Sequence, residues 1–245
     1  MKSLSIQAIL ALVLLSLNAT AQNWNTGIDL NSSNGSVKFN DPGAMRSKPA
    51  DITYNDVAGQ YLWKDDWNPA LIIMKTGNGS KMSKTRLNLY TNEILYIDKT
   101  GEMSAAIDKV KRVIFFSDDR TDSTKVIGVF DVLPDPSTRS NILVQVMNDG
   151  NIQLLKRTKV IMNRERLNPT TGKEEFRFTS SSNYLIRNGQ NLKPVKALNK
   201  SSVFENVPAA SEHEAWLTTN KNKLKKAEDV VEFFNYLNSQ SPQAN

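Results

Sequence analysis

Short apolar segments recur about every ten residues between Val57 and Lys196, and nothing with helical spacing separates one from the next. Strands are predicted over residues 57–63, 70–75, 85–90, 93–98, 102–107, 112–117, 126–133, 142–147, 152–162, 176–186 and 192–196. Val, Ile, Leu, Phe and Tyr are favoured in them, the residues that suit a pleated, half-buried surface. Parallel neighbours would need long crossovers, usually helical. None is written here, so the pattern predicts an antiparallel meander.

The punctuation agrees. Asn148-Asp149-Gly150-Asn151 and Asn188-Gly189 carry residue pairs that accept the positive φ angles of tight hairpin turns. Lys99-Thr100-Gly101 and Thr171-Gly172-Lys173 read as slightly longer glycine loops. Thr76-Gly77-Asn78-Gly79-Ser80 lacks the Gly-Lys-Ser/Thr ending of a phosphate loop and reads as a turn.

Within the strands, side chains alternate. Leu87 and Leu89 share one face, Arg86 and Asn88 the other. In residues 125–133, Val126, Gly128, Phe130 and Val132 lie opposite Ile127, Val129 and Leu133, so both faces of that strand are expected to be covered. A sandwich, a barrel or a helix-covered sheet would supply that cover. The last stretch turns helical. Ser211 and Glu214 match a capping box opening a helix through Trp216 and Leu217. A second helix is predicted over 227–238, where Val230, Val231, Phe234 and Leu237 form an apolar stripe expected to pack on the sheet.

Residues 1–21 read as a cleavable export signal: Lys2, an apolar run from Leu4 to Leu17, and the small-x-small site Ala19-Thr20-Ala21. No later stretch reaches transmembrane length. Residues 22–56 form a polar lead-in with an edge strand at 36–39, residues 57–198 the antiparallel β domain, and residues 199–245 the C-terminal helical segment. The expected location is the periplasm or the cell exterior.

Several chemistries are excluded outright. The chain has no cysteine, hence no thiol nucleophile, disulfide, cysteine–zinc site or iron–sulfur cluster. It has one histidine, His213, read as a surface-facing helix residue between Glu212 and Glu214. No cofactor motif is present, and no cofactor is expected. The net charge of +6 is dispersed, without a basic cluster interleaved with aromatics, so nucleic acid is not an expected partner.

Two groups of residues stand out. Trp63, Asp65, Asp66 and Trp67, in Tyr61-Leu62-Trp63-Lys64-Asp65-Asp66-Trp67, combine rings with carboxylates and form the candidate binding surface. Asp118, Asp119 and Asp122 are candidate hard-oxygen ligands for a metal, without the spacing of an EF-hand. Asn31, Asn78 and Asn199 head glycosylation sequons that read as chance matches.

Near the C-terminus, Ala215-Trp216-Leu217, the Lys-rich stretch 220–226 and the run from Glu228 to Tyr236 carry a resemblance. The layout resembles a loose set of uncharacterised exported β-rich proteins of Gram-negative bacteria with a C-terminal helical segment. That set has no assigned activity, so the resemblance transfers no functional residue. The expected fold is α+β: about ten antiparallel strands, sandwich- or barrel-like, capped by C-terminal helices. The expected function is an exported, non-catalytic module that binds an envelope protein or glycan. The alternatives are a carboxylate-based glycan hydrolase drawing on Asp65, Asp66, Asp118, Asp119 or Asp122, and a structural or envelope-stress assembly protein.

Overall fold

The computed structural model describes residues 37–38, 54, 57–98, 100–107, 109–117, 125–135, 138, 140–167, 170, 172 and 174–240. The export signal, most of the lead-in, and the loop with Asp118, Asp119 and Asp122 lie outside the described residues. One sheet holds β1 (Val37–Lys38), β2 (Asn68–Met74), β3 (Gly79–Asn88), β4 (Glu93–Ile97), β5 (Met103–Ala106) and β6 (Val110–Phe116). It continues through β7 (Val126–Pro134), β8 (Asn141–Val146), β9 (Ile152–Leu167), β10 (Glu174–Asn188) and β11 (Asn191–Val195). Their order across the sheet is β1-β5-β4-β3-β2-β6-β7-β8-β9-β10-β11, and every one of these strand pairs is antiparallel.

The order forces curvature. β5 and β6 are separated by β4, β3 and β2 in the sheet, about 19 Å if it were flat. The chain from Ala106 to Val110 can span only about 14 Å. The sheet must therefore curl, bending along the long β3. That strand pairs with β2 through Gly79 to Thr85 and with β4 from Thr85 to Asn88.

The curled interior is filled. Ile72, Leu87, Ile94, Val110, Val113 and Phe115 are fully buried there. β9 pairs with β8 only at Leu155 and Lys156 and then leaves it, running on with β10 as a two-stranded ribbon. The ribbon returns over the interior, where Val160 and Phe178 join the same core.

Residues 57–63, expected to be a strand, form a strap with single bridges at its two ends. Ala58 pairs with Arg177 of β10 and Leu62 with Asn88 of β3. Gly59, with φ +90°, interrupts any extended run between them. The strap thus joins one end of the curled sheet to the ribbon. The expected edge strand at 36–39 is present as the two-residue β1, paired with β5.

β7 is covered on both faces, as its alternation implied. Phe130 and Val132 enter the interior, while Val129 and Leu133 pack outside with Val144 and Leu155. The register slips between Phe115 and Phe116, so Ile127 also turns inward and Val126 is left 51% exposed. A bulge of this kind switches side chains between faces.

The C-terminal helices pack against the sheet over β9, β10 and β11, forming a second core with Leu154, Ile186, Val203, Val230, Phe233 and Phe234. α1 (Lys200–Asn206) was not expected. Asn199, the first residue of a sequon, caps it by accepting from the Ser202 N–H at 2.8 Å. The capping box is not formed. Pro208 starts a 3-10 helix (Pro208–His213) ahead of it, and the Ser211 hydroxyl donates to the Pro208 carbonyl instead. α2 (Glu214–Thr219) follows, then α3 (Ala227–Gln240), close to its predicted span, with Val230, Phe233, Phe234 and Leu237 buried. Among the described residues, no helix is long and apolar enough to cross a membrane.

Candidate binding surface

The strap carries the predicted aromatic–carboxylate group but divides it. Trp63 turns into the interior, its ring 5.1 Å from Phe115 and 4.9 Å from Phe130. Gly128 permits that approach, since a Cβ there would lie 2.5 Å from Trp63 Cη2. Trp67 lies on the other face of the sheet, over Leu62, Leu95 and Ala105, with the Arg86 guanidinium 4.4 Å from its ring centre. Asp65 and Asp66 are exposed between the two, and the Asp66 carbonyl accepts from Asn68 Nδ2 at 2.9 Å. The two tryptophans therefore make no shared platform. Each serves as a peg that holds the strap to one face of the sheet.

Where the strap meets β10, Tyr54, Tyr61 and Tyr90 cluster around Phe178 at ring separations of 5.1 to 5.7 Å. Burial, reinforced by Tyr90 and Glu93, pushes the Tyr54 phenol up to about 12. Burial also raises the Tyr61 phenol, against the opposing pull of Arg86.

The charged groups that converge lie elsewhere, on the outer face. Asp131 of β7 accepts from Arg112 Nε at 2.6 Å and from Arg187 Nη1 at 2.7 Å, and Arg187 also donates to Gln153. Burial alone would raise the Asp131 carboxyl, but hydrogen bonds from the two guanidinium groups outweigh it and hold the group below its ordinary range. Asp135 pairs with Arg157 at 2.7 Å. These paired, hydrogen-bonded carboxylates tie β6, β7, β9 and β10 together. Only the polar residue in an otherwise apolar strand, Asp131 in Val126–Pro134, could have signalled them in the sequence.

His213 is half-buried against Tyr236 of α3: Nδ1 lies 3.2 Å from the phenol oxygen, with Trp216 stacked on the same ring at 4.8 Å. A cavity of about 140 Å³ among the helices is bordered by Lys200 and Glu214, which pair with each other. Among the described residues, no three His, Cys, Asp or Glu side chains gather as a metal site.

One feature of the sheet is left open. β10 is engaged on its strap side by Ala58, which bonds Phe176 and Phe178, and by β11 from Tyr184 onward. Thr179, Ser180, Ser181, Ser182 and Asn183 lie between, and all five are exposed. Backbone direction alternates along a strand. Because Phe178 points its N–H at the strap, Ser180 and Ser182 point theirs the same way, away from β9. The result is a slot about 17 Å long in which no described strand pairs with β10.

No family model matches the chain, and neither a curated protein nor a solved structure matches it.

Proposed function

We propose that this protein is an exported, non-catalytic binding module of the bacterial cell envelope, and that it takes an extended segment of a partner protein as an added strand at the slot on β10. The export signal read in residues 1–21 and the resemblance to exported proteins of Gram-negative bacteria support the compartment. The observation that carries the binding mode is the run Thr179–Asn183, five exposed residues bounded on one side by the strap and on the other by β11. An incoming strand supplies N–H and C=O groups to the outward-pointing backbone of Ser180 and Ser182. Flanking segments fix where it starts and stops.

Selection of displayed random octapeptides on the folded protein tests this. Enriched segments should bind the wild type and fail on Ser182→Pro, which removes an edge N–H while leaving the β9 ladder intact. Enrichment that Ser182→Pro and Ser180→Pro both leave unchanged, or no enrichment at all, would overturn the reading.

A further inference from the structure

Resting on that reading of the slot, we infer that the segment it takes is acidic, with Asp or Glu alternating along an extended strand. The charges around the slot are of one sign. On β9, Arg157 and Lys159 stand directly across the exposed run and Lys156 lies one residue beyond it, and neither residues 156–163 nor 179–183 contain a carboxylate. Lys156 pairs with Tyr184 and lies on the interior side, whereas Lys159 pairs with Ser181 and lies on the outer side. The outer face of an added strand would thus meet the Lys159 ammonium group, with Lys156 next to the end of the slot on the other face.

Arg157 is committed to Asp135, and the acids farther along the ribbon are also occupied. Glu165 binds Arg177, and Glu174 binds Arg164 at 2.8 Å. At the β11 end, the exposed Lys196 adds a further cation. The β10 residue between Lys159 and the slot is Ser181. A side chain this short leaves the Lys159 stem free to lie across β10 and place its charged end over the edge. Alternation matters because every second side chain of a strand shares one face, so alternating acids all turn to the outer side that carries Lys159 while the residues between them face the interior side.

Three labelled octapeptides, alternating Val with Glu, with Ser or with Lys, would be titrated against the purified protein by fluorescence anisotropy at low and high salt. The Glu peptide should bind about tenfold tighter than the Lys peptide at low salt, and the gap should shrink as salt screens the charges. The paired variant Lys156→Gln/Lys159→Gln should remove most of the gap, and Ser182→Pro should abolish binding of all three. Equal affinity for the three peptides, still lost in Ser182→Pro, would overturn the acidic class and leave strand addition standing. Binding of all three that survives Ser182→Pro, or binding of none, would overturn strand addition itself. Two further outcomes would overturn the inference: vesicles of anionic lipid or a sulfated polysaccharide competing with the Glu peptide while ignoring Ser182→Pro, and dimers at micromolar concentration that Ser182→Pro dissolves, the latter naming a second copy as the occupant.

Discussion

Asn238 of α3 bonds Ile152 of β9 as a neighbouring strand would, accepting from its N–H at 2.9 Å and donating to its carbonyl at 2.8 Å. The same amide nitrogen reaches the Asp149 carbonyl at 3.0 Å, so one side chain joins the terminal helix to the β8–β9 turn. Asn238→Ala would leave the Ile152 N–H short of its partner, while the Ile152 carbonyl keeps the Asn148 amide at 2.8 Å. A loss of about 1–3 kcal/mol in urea unfolding is expected. An unchanged midpoint would show that the pairing contributes nothing to docking.

Gly59 is the one residue type the strap tolerates at its bend. Its φ is +90°, and a Cβ there would fall 2.4 Å from the Phe178 carbonyl oxygen. Gly59→Ala should destabilise by about 2 kcal/mol or more, from backbone strain and from displacement of the strap. Thermal unfolding reads the loss.

At Gly128 the obstacle is a side chain. An added Cβ would lie 2.5 Å from the Trp63 ring, so Gly128→Ala must push the indole out of its place beside Phe115 and Phe130. Overpacking of this kind costs about 1–3 kcal/mol. The tryptophan emission of the variant should move to longer wavelength as Trp63 gains solvent, and an unshifted spectrum would refute the packing described.

Asp131 links stability to acid. Its carboxyl is held low in the folded state by Arg112 and Arg187, so the unfolded chain takes up the proton first as the pH falls. The stabilisation is present above the unfolded value near 4 and disappears as the pH drops through the lower folded value. Asp131→Asn should flatten the acid limb of the stability curve. Asp131→Ala, which strands two guanidinium groups, should cost about 3–5 kcal/mol at neutral pH.

Tyr54 works at the opposite end of the scale. Its phenol stays protonated up to about 12 in the folded protein, while the unfolded chain ionises near 10. Stability should therefore be intact below about pH 10 and fall between there and pH 12. Tyr54→Phe should lessen that alkaline loss, and absorbance titration of the wild type should show late ionisation of Tyr54 and, by burial, of Tyr61.

Most strands were legible because period-2 alternation and Gly/Asn turns act locally. β2 and β4 through β11 each overlap a predicted segment, whereas β3 begins at Gly79, inside the predicted turn and six residues ahead of the predicted strand; α3 follows from its apolar stripe. What was hidden depends on distant contacts. The strap reads as a strand because Tyr61, Leu62 and Trp63 are good strand residues, yet Gly59 against Phe178 and the opposed burial of Trp63 and Trp67 decide its path. Asp65 and Asp66 drew attention by their density, whereas Asp131, alone among apolar neighbours, meets two arginines from strands far away in the chain. α1 is only seven residues long and buries a single side chain, Val203, so no apolar stripe marks it in the sequence. The slot has no local signature, since a strand edge is open or closed only through its neighbours.

The seam between strap and sheet rests on four backbone bonds, two at Ala58 with β10 and two around Leu62 with β3, whereas β9 and β10 are laddered along their whole length. Opening at the seam would not require any of the main strand pairs to separate. Local parting there costs far less than global unfolding, so amide exchange at Trp63 and Leu89 should outpace that of the ribbon. The wall next to the slot is thus a door that can swing while the house stays standing.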